Sequence, residues 1–251
     1  MAREVHGHLL QTGYAVGCVH PSDDLSDLAL YVIPHWAAFD PAWVAPLRKW
    51  VEAGGVLVIG ARTATKDLNN HVVAATPPGV LSELAGVTVE EYGRQNAPEE
   101  RPLWLQMPGG AQVQSRQWYE ALRPLDGAAV EVLAAWKGRH LDGQTAISLR
   151  PVGKGLVLYV GTYLTAPVME TLLAEIEKRC PLPKAWPGTP AGVQAVCRTD
   201  GEKAVWFFIN VSDAPAVIES LPEGADLLNG GPAAGPLTLA PNDVAVIQSK
   251  R

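Results

Sequence analysis

Short, almost wholly apolar runs alternate with helical patterns in the first part of the chain. "LALYVIP" (28–34) and "VLVIG" (56–60) have no polar face, as expected of parallel strands covered on both sides. Between them Trp43, Leu47, Trp50 and Val51 recur at helical spacing. Asp40-Pro41 supplies an N-cap and a first-turn proline, and Gly54-Gly55 a left-handed stop. Residues 2–12 predict an earlier helix ended by Gly13, then a short strand, "YAVGCVH" (14–20). Strand, helix, strand in this succession predicts an α/β fold: an open, mostly parallel sheet with right-handed crossovers and flanking helices.

Further along, "PPGVLSELAGVTVEEY" (77–92) predicts a short helix and a strand. Residues 93–117, broken by Pro98, Pro102, Pro108 and Gly109-Gly110, read as irregular. "AVEVLAAW" (129–136), "TAISLRP" (145–151) and "LVLYVGT" (156–162) read as strands. Gly153-Lys154-Gly155 turns the last two into an antiparallel hairpin. Residues 167–179 form an amphipathic helix with Val168, Leu172, Leu173 and Ile176 inward. "CPLPKAWPGTP" (180–190) carries four prolines and marks a linker. Beyond it the runs are short and divided by Gly, Pro, Asp and Asn: "VQAVCRT", "AVWFFINV", "AVIESL", "ADLLN", "LTLA", "VAVIQS". These predict a small antiparallel β domain. The expected organisation is an α/β domain over 1–180, a linker over 181–190 and a β domain over 191–251.

Composition narrows the function. A formal charge of −6 disfavours nucleic acid, which selects a basic stripe. No apolar run approaches the roughly 18 residues of a membrane span. The N-terminus lacks the layout of a signal peptide. Cys18, Cys180 and Cys197 are odd in number and none forms a C-x-x-C pair, which fits reduced thiols in a cytoplasmic protein. Eight Trp against three Phe is an unusual ratio, and Trp serves interfaces as well as cores.

Candidate chemistry is thin. After "VLVIG" the chain reads Gly60-Ala61-Arg62-Thr63, with no Ser or Cys at the position of a nucleophile elbow. Thr63 and Thr65 read as loop-capping hydroxyls. Gly55 and Gly60 have the outer spacing of a phosphate loop, but Ala61 stands where its Lys belongs. Gly153 and Gly155 read as a turn. His6 and His8, two apart on a helix, do not share a face, so they read as surface residues and no metal site is expected. His20 and His35 end adjacent predicted strands and are a candidate pair for a site at the sheet edge. Glu52, Glu83, Glu90, Glu91, Glu120 and Glu131 are not paired as a glycosidase pair requires, and each reads as a solvated acid. No cofactor is expected.

One stretch carries more than its parts: "LALYVIPHWAAFDPAWVAPLRKWVEAGGVLVIGARTATKDLNNHVV". It resembles the trimerisation domain of the family-42 glycoside hydrolases, the bacterial β-galactosidases. Arg62, Thr63, Lys66, Asp67 and Asn69 fit the family's loop, with Ala64 in place of Gly and Leu68 in place of an acid. "WYEALRPLDGAAVEVLAAW", "GQTAISLRPVGKGLVLYVGTYL" and "VWFFINVSDAPAVIESL" extend the resemblance over nearly the whole chain. It implies a flavodoxin-like, class I glutamine-amidotransferase-like sheet without the amidotransferase nucleophile, followed by the family's small C-terminal β domain. It also implies that catalysis belongs to a preceding barrel, so no catalytic residue is carried over. The implied partners are copies of this chain, a trimer in the family, or a barrel-bearing chain. Arg62, Lys66 and Asp67 are candidate contacts, and Trp36, Trp43, Trp104 and Trp118 candidate interface residues. Family members place a first strand before the helix that begins here. The sheet is therefore expected to lack it, with 14–20 and 28–34 pairing directly or leaving a gap. Two other readings stay open: an amidotransferase-like hydrolase with an atypical site near His35 or Thr63, and a carbohydrate-binding module using Trp206.

Overall fold

Asp40 starts a 3-10 turn, Pro41–Trp43, that leads straight into the central helix: its carboxylate accepts the Ala42 N–H at 2.9 Å, and Pro41 is the first residue of the turn. In this computed structural model, which describes residues 1–96, 99–233 and 235–250, the helices are α1 (Ala2–Gln11), α2 (Val44–Ala53), α3 (Ser82–Ala85) and α4 (Ala166–Glu177). Helix α2 buries Leu47 and Val51 and ends at Gly54, whose φ of 130° suits glycine. The next residue must also be glycine. A Cβ on Gly55 would lie 2.3 Å from the Trp50 ring, which lies across it and donates to the Leu28 carbonyl.

The chain divides into two units, Met1–Val5 with Val19–Leu182, and His6–Cys18 with Pro183–Arg251. The first holds a nine-stranded mixed sheet. Its strands are β1 (Leu30–Ile33), β2 (Val56–Gly60), β3 (Val87–Arg94), β4 (Leu103–Gln106), β5 (Gln112–Ser115), β6 (Trp118–Pro124), β7 (Glu131–Lys137), β8 (Thr145–Val152) and β9 (Gly155–Val160). The main path runs β1-β2-β9-β8-β7-β4-β5, while β6 pairs with β3 and β8. All five residues of β2 are buried, matching a strand covered on both faces. Leu47, Val51, Leu57, Ile59, Leu81, Leu84 and Tyr159 meet in the core of this unit.

Three expectations are corrected here. The sheet is not mostly parallel: among the described residues only the strand pairs β1-β2 and β2-β9 are parallel, and the other strand pairs of the sheet are antiparallel. A parallel return needs a crossover of a dozen or more residues. Helix α2 provides one between β1 and β2, whereas the β4–β5, β7–β8 and β8–β9 connections are far shorter and each closes an antiparallel pair. "YAVGCVH" is not a strand. Tyr14 makes one isolated bridge to Lys184 and residues 15–20 join no ladder. Direct pairing with 28–34 therefore does not occur, and among the described residues β1 is an edge strand joined only to β2. An apolar run becomes a strand only where another strand offers its backbone, and 14–20 meets none. Residues 93–117 are not all irregular. They contain the β4–β5 hairpin around Pro108–Gly110 (Pro98 lies outside the described residues).

The second unit contains β10 (Val193–Thr199), β11 (Lys203–Asn210), β12 (Ala216–Ile218), β13 (Gly224–Asp226), β14 (Leu237–Leu239) and β15 (Val244–Lys250). Strands β10-β11-β15-β13 form one antiparallel sheet and β12-β14 a second ladder. Val193, Phe208, Ile218, Leu239 and Ile247 fill the space between them. The proline-rich stretch is not a bare spacer. Trp186 packs against this core at 5.0 Å from the Trp206 ring and donates to the Ser220 carbonyl.

Candidate functional site

The turn after β2 spends its hydroxyls on its own backbone. Thr63 is fully buried, and its Oγ1 donates to the Gly60 carbonyl at 2.7 Å and accepts the Trp36 N–H at 3.3 Å. Thr65 donates to the Arg62 carbonyl at 3.1 Å. Arg62 and Ala64 take φ of 65° and 57°, a conformation that costs side-chain-bearing residues energy. The loop then closes on itself. Lys66 Nζ donates to Asn70 Oδ1 at 2.8 Å, and Asp67 Oδ1 accepts the N–H groups of Asn69 and His71, each at 2.9 Å. The bond from the His71 N–H does most to hold the Asp67 carboxyl below its ordinary value.

The atypical hydrolase site expected near His35 or Thr63 is not assembled. His35 Nδ1 donates to the Ala61 carbonyl at 3.0 Å, while the His20 ring packs against Trp43 and its Nδ1 lies 2.7 Å from Ser22 Oγ. One acid, imidazole and hydroxyl do meet elsewhere, but in the wrong order. Glu91 Oε1 lies 2.5 Å from His140 Nε2 and accepts from Tyr119 OH at 3.2 Å. The carboxylate, not the imidazole, touches the hydroxyl, and burial followed by Glu91 raises the phenol's pKa. That is opposite to what an activated nucleophile needs. Among the described residues no group of three or more His, Cys, Asp or Glu is arranged to hold a metal ion. Trp206 offers no open platform: Trp186 meets its edge and Phe208 stacks on it at 6.2 Å.

The densest polar construction lies at the start of β6. Glu120, read from sequence as a solvated acid, is 2 % exposed. Its Oε1 accepts the Arg62 N–H at 3.0 Å and the Trp118 indole N–H at 3.0 Å, and its Oε2 accepts from Tyr159 OH at 2.7 Å. Burial outweighs these bonds and pushes the Glu120 pKa above its ordinary value. The sequence signal was its setting in "WYEAL", between aromatic and apolar neighbours, in a strand with four successive buried residues.

Trp118 joins this network to a second one. Its carbonyl accepts from Thr162 Oγ1 at 2.8 Å, and that hydroxyl lies 2.7 Å from Ser115 Oγ, which accepts from Gln95 Nε2 at 2.6 Å. Gln95 Oε1 is buried without a hydrogen-bond partner among the described residues. The Arg62 guanidinium lies over the Trp118 ring, 4.5 Å from its centroid, and Tyr92 stacks on the same indole at 5.6 Å. Outside this construction opens a cavity of about 550 Å³, lined by Arg62, Arg94, Gln95, Asn96, Gln117, Trp118 and Tyr163.

The candidate residues from sequence are thus dispersed. Arg62 and Trp118 meet at the cavity. Lys66 and Asp67 shape the adjacent loop. Trp36 and Trp43 are half-buried beside the core, with ring centroids 5.8 Å apart. Trp104 is half-buried on β4.

Comparison with known proteins agrees with this architecture. Residues 2–183 match the family model of the β-galactosidase trimerisation domain, and residues 192–249 that of the β-galactosidase C-terminal domain. The chain is 26% identical over 234 residues to β-galactosidase LacZ of Heyndrickxia coagulans, covering 93% of this chain and 34% of that protein. It is 26% identical over 247 residues to β-galactosidase BgaA of Clostridium cellulovorans, covering 97% of this chain and 36% of that one. Among solved structures, β-galactosidase from Bacillus circulans sp. alkalophilus superposes with a TM-score of 0.85 at 19% identity, over 98% of this chain and 36% of its own. The chain therefore spans about a third of the length of these relatives, and it belongs to the β-galactosidase trimerisation-domain family of glycoside hydrolase family 42.

Proposed function

We propose that this chain is the assembly portion of a β-galactosidase-like glycoside hydrolase, binding copies of itself or a barrel-bearing chain, and that it does no bond-breaking alone. The family match over 2–183 carries this reading. The strand-end turn supports it, because its hydroxyls are committed to backbone carbonyls rather than to a base. The contact surface we assign centres on the loop of Arg62, Lys66 and Asp67, where Leu68 and Val72 are 57% and 78% exposed. Trp36, Trp43, Trp104 and Trp118 are its aromatic candidates. We read the three parallel strands β1, β2 and β9 as the remnant of a flavodoxin-like, glutamine-amidotransferase-like arrangement. We take 1–180 and 191–251 as its two domains and place the protein in the cytoplasm.

Two measurements on the purified chain test the proposal. Light scattering after size exclusion should give a mass above one chain, or a mixed complex when a barrel-bearing partner is added. A nitrophenyl-galactoside assay should give no turnover by the chain alone. A monomer that captures no partner, or turnover by the chain alone, overturns the reading. Leu68→Asp with Val72→Asp should reduce the mass to that of one chain.

A further inference from the structure

We infer that the cavity bounded by Arg62, Arg94, Gln95 and Trp118 binds a small hydroxylated carboxylate, a sugar acid of monosaccharide size. Arg62 and Trp118 also belong to the contact surface proposed above, so the acid and an assembly partner would compete for them. Arg62 is held at both ends. Its N–H is fixed by Glu120 and its guanidinium lies on the Trp118 ring, which Glu120 also holds through the indole N–H. A guanidinium seated over an aromatic face keeps donors free for a ligand, and its planar fork matches a carboxylate. Arg94 supplies a second cation on the same wall. Among the described residues, no carboxylate lies within ion-pairing distance of either guanidinium.

The rest of the wall asks for hydroxyls. Gln95 stands behind this wall, 4% exposed, with its Oε1 closed off from the cavity. Asn96, Gln117 and Tyr163 add neutral donors and acceptors around the same space. A bare inorganic anion would satisfy the arginines and leave Asn96, Gln117 and Tyr163 unanswered, whereas a carboxylate bearing hydroxyl groups meets both demands. The volume falls within the range of small-molecule sites, roughly 300–1,000 Å³. Backbone strain also gathers here: Arg62 and Gln117, both lining the cavity, have φ of 65° and 69°. Such strain persists where surrounding contacts over-determine it, and it clusters at ligand sites.

Calorimetric titration of the intact chain tests the inference, using D-galacturonate and D-gluconate beside D-galactose and inorganic sulfate at matched ionic strength. At least one of the two acids should bind. D-galactose should give no measurable heat, and sulfate should bind about tenfold or more weakly than the acid. Arg62→Lys keeps the charge and loses the fork, so it should weaken the acid about tenfold or more. The Arg94 side chain is exposed and its backbone pairs with Trp118 in the β3–β6 ladder, so Arg94→Gln, which keeps that ladder, should leave the melting temperature unchanged while weakening the acid several-fold. Asn96→Ala should weaken the acid more than it weakens sulfate. Absence of binding by both acids overturns the inference. So does equal binding of galactose, sulfate binding as tight as the acid, or an Arg94→Gln chain that binds unchanged. If the acids fail to bind and Arg94→Gln instead lowers the mass in solution, the arginines hold a partner's carboxylate and the inference is likewise wrong.

Discussion

Glu120 and Asn210 lie equally deep, 2% and 0% exposed, yet the two units use their buried polar residues differently. Asn210 is saturated. Its amide nitrogen donates to the carbonyls of Ala214, Leu239 and Ala240, and its oxygen accepts from the Ser212 N–H and hydroxyl. Three segments of the β unit are tied at that point, and both halves of the amide are needed. Glu120 carries no hydrogen on its ionised carboxyl and collects donors only, from the Arg62 backbone, Trp118 and Tyr159. Two of those groups face a cavity, and the carboxyl's pKa is pushed up by burial. A neutral, fully matched amide ties a fold together at little risk. A buried acid makes the fold sensitive to pH, and such a group is tolerated where it positions something at a surface.

The contrast breaks first at Asn210. Asn210→Asp replaces a donor with an oxygen facing three carbonyls, so the side chain is either a buried unpaired charge or an acid that satisfies one of them. The loss should be about 3–5 kcal/mol. It should be confined to the second unit. Hydrogen exchange read segment by segment should show 193–250 losing protection while the sheet of the first unit keeps it. Uniform loss of protection, or an effect under about 1 kcal/mol, would remove Asn210 from its assigned role.

Glu120→Ala should cost about 2–4 kcal/mol, because it strands the Trp118 indole N–H and the Arg62 N–H inside the protein and opens a small space beneath them. Its particular signature is local. The loop 60–71 should exchange faster, and the Arg62 guanidinium should lose its place over Trp118, visible as a changed Trp118 environment in aromatic NMR spectra. A chain that loses stability with the loop unmoved would mean that Glu120 only fills space.

These two residues also mark where the sequence was readable. The strands of the second unit were legible because Gly, Pro, Asp and Asn interrupt each apolar run, leaving few ways to pair them. Helix α2 was legible because the capped, proline-led turn that runs into it, its apolar stripe and its glycine stop agree. What failed had long-range causes. "YAVGCVH" has a strand's composition but no neighbour to pair with. The hairpin of β4 and β5 has prolines and glutamines but finds β7. The pairing direction in the main sheet depended on the length of crossovers, not on the runs themselves. Glu120 reads as solvated because nothing in the sequence pairs it with a partner. Only the fold shows that Arg62, 58 residues away, and Tyr159, 39 away, converge on it. The cavity was half legible: Arg62 and Trp118 stood out, while Gln95 and Arg94 gave no local signal.

Glu120→Gln sharpens the comparison by giving the first unit a neutral amide like that of the second. Because the folded-state pKa of Glu120 is raised, the native protein holds a proton that the unfolded chain has released. The wild type therefore loses stability as pH rises from the ordinary value of 4.5 through the raised one, and keeps that contribution in full below 4.5. The glutamine variant has no such dependence. Urea unfolding at several pH values should show its stability gaining on the wild type with rising pH, by at most about 1.4 kcal/mol per unit. Parallel curves for the two proteins would show that Glu120 does not titrate in the native state.

The smallest effect is expected beside Asn210, and it tests whether saturation itself is what protects that site. Ser212 Oγ lies 2.7 Å from Asn210 Oδ1 and 2.9 Å from the Ala214 carbonyl, so its one hydrogen serves one acceptor at a time. Ser212→Ala removes it. Asn210 Oδ1 still receives the residue-212 N–H at 3.0 Å, and the Ala214 carbonyl still receives the Asn210 amide at 2.8 Å. No buried group is left without a partner, so the cost should be about 0.5–1 kcal/mol, the net worth of one ordinary hydrogen bond. The double variant with Asn210→Ala should then be nearly additive less that same amount, because the serine has lost its partner once the amide is gone. A cost for Ser212→Ala near that of Asn210→Asp would mean that the hydroxyl, not the amide, ties the three segments, and the β unit would then rest on a hub as vulnerable as the one beneath the arginine cavity.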